Sequence, residues 1–388
     1  MSAARPLACV LGDMDLVRPL GLAGIRCAVV ARPSSPAARS RFCCARIEWA
    51  DNYDARAALE RSLLDFARGL ADPPVLFFQT DGDLLFASAH RRALGEALRL
   101  SLPDESMIWN LVRKDRFFEL ARSLDLPVPR SFRLPSISSE EPPSVPIDLP
   151  WVIKPLTRRD VSWHPVAGEA KALRVDSPSH LRELWPALRA AGVDALAQEL
   201  VQGSEEHIES YHAYVDPEGE VAGEFTGRKL RTLPPAYGQT TALTITREPD
   251  VAELGRHCME QLGLRGVAKL DFKRGPDGEL RLLEVNPRFN LWHLPGAVAG
   301  VNLPALAYAD LTGRPRPPAG LLRPGVRWTV SWNDLRVRAA HGLGWREWLH
   351  FQLTCETHSV VALDDPQPFL RSLPWRRLRA LAQRRSRA

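Results

Sequence analysis

The stretch GVAKLDFKRGPDGELRLLEVNPRFNLW, residues 266–292, decides how this chain is expected to fold. Two apolar runs flank the residues GPDG at 275–278, which are types that turns favour, so the stretch predicts an antiparallel hairpin. With GPDG as the loop, Asp271 is expected opposite Leu282. Asp271 is then a diagonal neighbour of Glu284 on the same face, within reach of cross-strand contacts.

One face of the second hairpin strand mixes apolar and polar side chains. Because side chains alternate along a strand, that face is expected to hold Leu280, Leu282, Glu284 and Asn286. A carboxylate and an amide on an otherwise apolar face are costly unless something pairs with them. Their oxygens are hard ligands suited to Mg²⁺ that also bridges phosphates, so Asp271, Glu284 and Asn286 are candidate metal ligands. The alternative is an exposed ladder of salt bridges, with Asp271 paired to Arg281 or Lys269.

Two basic residues stand where they can contact phosphate. Arg288 lies two residues beyond Asn286 and can neutralise a phosphate or a developing acyl phosphate. Lys154 ends the apolar run WVIK and is followed by Pro155; a lysine that emerges beside a cleft is a frequent phosphate contact. A structural lysine that extends its ammonium to solvent is the alternative for Lys154.

The segment QELVQGSEE, residues 198–206, breaks an apolar strand at Gly203. Such a break exposes backbone N–H and C=O groups, which can recognise the edge of an adenine ring. Glu206 can accept hydrogen bonds from ribose hydroxyls. An ordinary strand end with solvated acids is the alternative here.

The first third of the chain alternates short apolar runs with helical patterns. Strands are expected at 7–11, 25–31 and 74–79. This order predicts a Rossmann-like parallel sheet with right-handed crossovers. No GxGxxG motif follows the first strand, which argues against phosphate binding at that turn. Thr80, Asp81 and Asp83, at the carboxyl end of the third strand, are instead expected to help form a substrate wall.

The rest of the chain predicts two α+β lobes and a C-terminal extension, so the fold class is α/β and α+β. A loop rich in Pro and Ser at 135–150 lies within the first lobe, and the second contains two hairpins. The expected units are a Rossmann-like domain at 1–111, lobe A at 112–192, lobe B with the metal-binding hairpin at 193–315, and a Trp- and Arg-rich helical extension at 316–388.

Composition and charge exclude several classes of protein. The six cysteines form no CxxC pair and, with no secretory signal, favour a cytoplasmic location. No apolar run approaches the roughly 20 residues of a membrane span. The net charge of +5 is modest and the basic residues do not alternate with aromatic ones, so no nucleic-acid partner is expected.

Arginine is concentrated near the C terminus, at Arg376, Arg377, Arg379, Arg384, Arg385 and Arg387. A solvated helix end, whose last turns favour cations, is the expectation there. Weak contact with a membrane surface or a polyanion is the alternative.

The succession of the candidate residues is itself informative. It runs Lys114, Lys154, Glu199–Val201, Glu206, Asp271, Glu284, Asn286 and Arg288. This succession resembles the ATP-grasp superfamily, in particular its D-aspartate ligase and carboxylate–amine ligase branch, over about residues 5–315. VRKDRFFELARSLDLPVPRSF resembles that branch's entry helix and strand, GRKLRTLPPAYGQTT its basic loop, and the hairpin with ExNxR at 284–288 its metal-binding hairpin.

For the nucleotide, the resemblance implies an ATP-grasp fold that holds ATP between two lobes. Lys114 and Lys154 would contact the phosphates. Glu199 and Val201 would lie at the adenine edge, and Glu206 on the ribose. The family's glycine-rich loop after Lys154 is replaced here by TRRDVSWHPVAGEA, which has a single glycine.

For the chemistry, the resemblance implies Mg²⁺ as the metal, with Mn²⁺ as the alternative. The metal would be bound by Asp271, Glu284 and Asn286. Arg288 would face the transferred phosphoryl group. Lys229 and Arg231, in the basic loop, would bind the acceptor carboxylate or the γ-phosphate, with Arg228 sharing that role. A solvated basic strand is the alternative for these three.

The implied activity is an ATP-dependent carboxylate–amine ligase that works through an acyl phosphate and releases ADP and phosphate. Its substrates would be a small carboxylate and an amine of amino-acid type. A small-molecule kinase and a non-catalytic ATP-binding module are the alternatives. The sequence is compatible with a homodimer but does not determine the oligomeric state.

Overall fold

The computed structural model describes residues 5–135, 139–157, 161–168, 170–318 and 320–372. Its strands are β1 (Ala8–Leu11), β2 (Cys27–Ala31), β3 (Cys43–Glu48), β4 (Val75–Phe78), β5 (Ser131–Leu134), β6 (Trp151–Pro155), β7 (Leu173–Val175), β8 (Ala195–Glu199), β9 (Ile208–Val215), β10 (Val221–Leu233), β11 (Gln239–Thr246), β12 (Gly266–Arg274), β13 (Leu280–Asn286), β14 (Arg327–Thr329) and β15 (Thr357–His358).

Its helices are α1 (Met14–Leu22), α2 (Arg56–Arg68), α3 (Asp81–Ala89), α4 (Arg91–Gly95), α5 (Glu105–Val112), α6 (Lys114–Ser123), α7 (His164–Ala167), α8 (Pro178–Ala190), α9 (Pro249–Gln261), α10 (His293–Val298), α11 (Leu303–Thr312), α12 (Ser331–Val337), α13 (Trp345–Thr354) and α14 (Gln367–Ser372). No helix in these described ranges is both long and apolar enough to cross a membrane.

A parallel sheet in the order β3-β2-β1-β4 forms the N-terminal domain. The three predicted strands are present, and the Rossmann-like prediction is confirmed. Strand β3 was not predicted, so Val75–Phe78 is the fourth strand rather than the third. Strand β3 lies at the edge of the sheet, and an edge strand with a solvated side has no continuous apolar run. In β3 the buried residue is Ile47.

Lobe A is an antiparallel sheet in the order β5-β8-β6-β7, with α8 packed on it. Its core contains Trp151, Leu181, Trp185 and Leu188. The apolar run WVIK lies in β6, and the entry strand expected in VRKDRFFELARSLDLPVPRSF is β5. Strand β8 pairs with β5 and β6, so this sheet extends beyond the predicted lobe A boundary at residue 192. Part of the predicted loop at 135–150 (residues 136–138) and part of TRRDVSWHPVAGEA (residues 158–160 and 169) lie outside the described residues.

Lobe B is built on a seven-stranded sheet in the order β13-β12-β9-β10-β11-β14-β15. The prediction of a basic loop at GRKLRTLPPAYGQTT was wrong, because β10 continues to Leu233 and β11 begins at Gln239. Strand β10 pairs with β9 on one side and β11 on the other. Ladder hydrogen bonds on both sides therefore hold the basic residues in a strand, although their polarity resembles that of a loop.

The β12–β13 hairpin forms as predicted, but its register differs. A bulge at Leu283 places Asp271 directly opposite Glu284 and pairs Phe272 with Leu282. Because a bulge inserts one extra residue, it reverses the facing of the side chains beyond it. Leu280 and Leu282 therefore pack in the core, and they do not share a face with Glu284 and Asn286 as predicted.

The C-terminal extension contains the predicted helices and also adds β14 and β15 to the lobe B sheet. It contacts the N-terminal domain through Asp15, whose carboxylate accepts hydrogen bonds from Trp328 Nε1 at 2.7 Å and Ser359 Oγ at 2.6 Å. Burial raises the pKa of Asp15 well above its ordinary value. The arginines from Arg376 to Arg387 lie outside the described residues.

Candidate active site

The polar face of the lobe B sheet is organised in rungs that cross its strands. One rung joins Ser210 of β9, Asp271 of β12 and Glu284 of β13. The next rung joins His212, Lys269 and Asn286 on the same three strands. The rung on the other side of Asp271 carries Lys273 and Arg281. This alternation places a row of acids between two rows that contain lysines.

Asp271 lies at the centre of this face and is only 2% exposed. Its carboxylate accepts hydrogen bonds from Ser210 Oγ, from Lys269 Nζ at 2.6 Å and from Lys229 Nζ at 3.3 Å. The predicted alternative of a ladder on an exposed strand does not hold, because the Asp271–Lys269 pair is buried.

Burial and charge act differently on the two lysines that contact Asp271. Burial lowers the pKa of Lys269, and the nearby carboxylates only partly offset it. Burial also works to lower the pKa of Lys229, but the carboxylates of Asp271 and Glu284 outweigh it and raise that pKa. Both side chains lie where a second anion would relieve the cost of their burial.

A hydrogen-bonded chain links the hairpin to the N-terminal domain. Asn286 Nδ2 donates to Glu284 Oε1 at 3.1 Å, and Arg288 donates to Asn286 Oδ1 at 3.0 Å. The Arg288 guanidinium also donates to Gln79 O at 3.0 Å and forms an ion pair with Asp81. Asp81, predicted to lie in a substrate wall, therefore contacts Arg288 across the domain boundary.

Lys154 lies close to this face on lobe A. Its ammonium donates to Gln198 Oε1 at 2.7 Å. Burial lowers the pKa of Lys154 to about 8, although the carboxylates of Glu284 and Glu205 oppose that shift. Lys114 contacts the C-terminal end of β6, where its Nζ donates to Pro155 O at 2.8 Å. Both predicted phosphate lysines are thus held at the same end of one strand.

A cleft of about 670 Å³ opens between the lobes at the predicted nucleotide segment. Its walls include Leu200, Gly203 and Glu206 from that segment, Lys273 from β12, and Tyr237 from the turn between β10 and β11. Glu206 therefore lines the cleft as a ribose-binding residue would.

The other two residues of the predicted adenine edge lie beside this cleft. Glu199 ends β8, where its carboxylate accepts a hydrogen bond from Arg130 N at 3.3 Å. Val201 follows β8 by two residues and is half-buried.

The three basic residues predicted to share one role on β10 have different partners. Lys229 contacts Asp271, as described above. Arg228 pairs with Glu209 at 2.7 Å and Glu248 at 3.2 Å. Arg231 makes two hydrogen bonds to Asp334, at 2.7 and 2.9 Å, beyond a bulge in the strand. Of the three, the structure brings Lys229 alone into contact with the central acid.

Three further site residues escaped prediction. Lys269 and Lys273 alternate with Asp271 in the run KLDFKR, so the period-two pattern of a strand already placed all three on one face. Ser210, in contrast, carries no sequence signal, because its position beside Asp271 depends on the pairing of β9 with β12.

Three comparisons show which known proteins this chain is similar to. A family model described as ATP-grasp in the biosynthetic pathway with Ter operon matches residues 221–331. The D-aspartate ligase of Enterococcus faecium (strain Aus0004) is 22% identical over 238 residues, and the match covers 59% of this chain and 56% of that ligase. The chain is therefore similar in sequence to ATP-grasp proteins. Its match extends over little more than half the length of that ligase.

Two solved structures show how widely this ATP-grasp fold extends along the chain. One is the N5-carboxyaminoimidazole synthase of Aspergillus clavatus, solved with ADP and 5-aminoimidazole ribonucleotide. It has a TM-score of 0.60 at 16% identity, and the match covers 82% of this chain and 80% of that one. The L-amino acid ligase of Bacillus licheniformis has a TM-score of 0.58 at 14% identity, covering 80% of this chain and 75% of that one. At these identities the likeness concerns the fold alone.

The donor atoms of this candidate site fit a hard divalent cation. Asp271 and Glu284 are cross-strand neighbours, and Asn286 adds an amide oxygen one rung away. Within the described part of the chain, no three His, Cys, Asp or Glu side chains converge as a metal site made of protein alone would require. A small acidic set is nevertheless what Mg²⁺ uses where substrate phosphates supply further oxygens.

Proposed function

We propose that this ATP-grasp protein is an ATP-dependent carboxylate–amine ligase. The observation that carries the proposal is the cross-strand pair of the buried Asp271 and the half-buried Glu284, which has lysines around it and lies beside a cleft between two lobes. Lysines in excess of their acid partners favour a polyanion such as a triphosphate. The resemblance to ligases that join a carboxylate to an amine supports the same conclusion.

The nucleotide would bind along the cleft. Glu206 would accept hydrogen bonds from the ribose, and the backbone from Glu199 to Val201 would meet the adenine edge. Lys114 and Lys154 would contact the phosphates at the end of β6. The surplus positive charge around these groups would be neutralised once the phosphates are bound, which lowers the cost of their burial.

On lobe B, Lys229 and Lys269 would contact the γ-phosphate and the group that receives it. Arg288 would donate to the transferred phosphoryl group. We propose a positioning role for Arg231 instead of contact with substrate, because its guanidinium is held by Asp334.

Asp271, Glu284 and Asn286 would hold Mg²⁺, or Mn²⁺ as the alternative. When bound, the cation would draw negative charge away from the β- and γ-phosphates. The residues of the chain align the reactants and exclude water, which provides much of the rate in reactions of this kind.

The reaction balances in two steps. An oxygen of the substrate carboxylate attacks the γ-phosphorus of ATP, the bond to the bridging oxygen breaks, and ADP leaves. The amine lone pair then attacks the carbon of the acyl phosphate and a C–N bond forms. The C–O bond to phosphate breaks, phosphate leaves with that electron pair, and the nitrogen gives up one proton.

The test measures ADP release with ATP and Mg²⁺ against pools of small carboxylates, with and without hydroxylamine. Hydroxylamine converts an acyl phosphate to a hydroxamate without needing the natural amine. Carboxylate-dependent ADP release with hydroxamate is the expected result. A phosphorylated product that forms without any amine would indicate a kinase, and ATP binding with no ADP release would indicate a non-catalytic module.

A further inference from the structure

Two fully buried histidines next to the site have no hydrogen-bond partner in the described part of the chain. His212, on β9, and His293, at the start of α10, are both 0% exposed. Neither ring nitrogen of either side chain has a partner among the described residues, and the same is true of Asn290 Nδ2. Buried polar atoms in proteins are nearly always paired, so a cluster of five such atoms calls for an explanation.

Aromatic rings pack against both imidazoles. Phe225 stacks on His212 with 4.6 Å between ring centroids, and Trp292 lies 5.0 Å away at a tilt. Phe289 lies 5.2 Å from His293 in an edge-to-face arrangement, and the two imidazoles are 6.3 Å apart. Stacking therefore fixes the His212 ring and an edge-to-face contact fixes that of His293, while both rings keep unsatisfied nitrogens.

Glycine makes the approach of Trp292 to this sheet possible. A Cβ at Gly227 would lie 2.4 Å from the Trp292 ring. Any other residue there would displace the indole that packs beside His212.

His212 lies on the same rung as Asn286 and one rung from Asp271 and Glu284, on the side away from the cleft. His212 pairs in register with Lys269, which pairs with Asn286. Lys273, which lines the cleft, lies on the opposite side of Asp271. A ligand at the histidines would therefore reach the acyl carbon from the side away from the nucleotide.

The surroundings select the charge of that ligand. Burial, with Lys269 nearby, lowers the pKa of His212 well below its ordinary value, and burial with Arg288 nearby lowers that of His293 to about 3. Each imidazole is thus neutral and offers one donor and one acceptor. Lys269 and Arg288 disfavour a further cation here, whereas a neutral amine matches the donors and acceptors.

We propose that His212, His293 and Asn290 form the subsite for the acceptor substrate, which they hold as an uncharged primary amine. The inference rests on the proposed function and identifies where its second substrate binds. The uncharged nitrogen retains the lone pair that attacks the acyl carbon. The proton lost from nitrogen passes to the leaving phosphate.

The test replaces each histidine with phenylalanine, which keeps the stacking ring and removes both nitrogens. His212→Phe and His293→Phe should retain carboxylate-dependent hydroxamate formation, because hydroxylamine is small and needs no subsite. Amide formation with the standard L- and D-amino acids should fall in kcat/KM by at least about tenfold, the loss expected for one buried hydrogen bond. Thermal stability should rise, because unpaired buried polar atoms are removed.

The matched control is His358→Phe, because Nδ1 of this half-buried imidazole already has a partner, Ser331 Oγ at 3.2 Å. It should leave amide formation unchanged. Unchanged amide formation in both His212→Phe and His293→Phe would overturn the inference. The two imidazoles would then serve only in packing, with water as the partner of their ring nitrogens.

A second measurement separates this inference from the proposed function. Ring-nitrogen NMR signals of ¹⁵N-histidine in the wild-type protein should shift when the same amino acids are added with ATP and Mg²⁺. If no hydroxamate forms, the proposed function fails. The inference fails if the ring signals do not move, whether or not the phenylalanine variants fold.

Discussion

Strand β10 carries two basic side chains two residues apart, and each pairs with a buried acid in a different way. Lys229 contacts Asp271 at 3.3 Å, and Arg231 makes two bonds to Asp334, at 2.7 and 2.9 Å. The acids are 2% and 0% exposed. Burial alone therefore does not distinguish a structural ion pair from a functional one.

The partners make the distinction. Besides Arg231, Asp334 accepts hydrogen bonds from Thr241, Trp348 and Gln352. The Asp334 carboxylate is therefore satisfied by donors of the chain itself, and this cluster joins the C-terminal extension to the sheet.

Around Asp271 the cations outnumber the acids. The lysines near this carboxylate include Lys269 and Lys273, whose pKa burial lowers, and Lys154 on lobe A. A cluster with surplus cations is suited to bind an anion, whereas a satisfied cluster is suited to hold a fold.

The largest effect is expected from Asp334→Ala. Removing one partner of a buried ion pair leaves the other charge uncompensated, which costs about 3–5 kcal/mol in the free energy of unfolding. Urea denaturation measures that loss. The double variant Arg231→Met with Asp334→Leu should be more stable than the single one, because no charge is left buried. A stable Asp334→Ala protein with no ATP turnover would assign Arg231 to substrate instead.

Glu284→Gln should have the opposite pattern, with a loss of activity and little loss of stability. It removes a negative charge from the proposed metal site and should lower ADP release by at least about a hundredfold, as loss of one electrostatic contact to a transition state does. The melting temperature should change little, because glutamine keeps the shape and can accept from Asn286. Glu279→Gln, on the exposed turn of the same hairpin, is the matched control and should turn over normally. Equal turnover in both variants would remove Glu284 from the site.

Much of the fold follows from local sequence, and the exceptions have a common cause. Strand β6 of lobe A and the β12–β13 hairpin follow from apolar runs and turn residues. Strand β3 and the course of β10 do not, because an edge position and pairing on two sides are properties of the sheet. The bulge at Leu283 is also a property of the sheet, because no local sequence pattern predicts it.

The candidate site divides in the same way. The run KLDFKR and the motif at 284–288 place their polar side chains by alternation along single strands. The contacts between Ser210 and Asp271, Arg231 and Asp334, and Arg288 and Asp81 join distant segments. Sequence reasoning therefore identified the acids and the arginine but not the partners that decide what each one does.

A smaller effect should appear in the pH dependence of ATP use. Burial lowers the pKa of Lys154 from its ordinary 10.5 to about 8, with Glu284, Glu205, Lys273 and Lys229 as its charged neighbours. Above that pH the free protein loses the ammonium that would contact phosphate. The value of kcat/KM for ATP should then fall by up to about tenfold per pH unit. A Lys154→Arg variant should lack this fall, because arginine stays charged.

The same group fixes the sign of a stability effect. Between pH 8 and 10.5 the folded protein holds Lys154 neutral while the unfolded chain keeps it protonated, so the unfolded state binds more protons. The cost of burying this charge is fully present below pH 8 and disappears as the pH rises to 10.5. Lys154→Met should therefore raise stability near neutral pH and remove this increment, as urea denaturation across the pH series measures. A wild-type increment that survives in Lys154→Met would belong to another group, and Lys154 would then no longer mark the cation-rich cluster as the functional one.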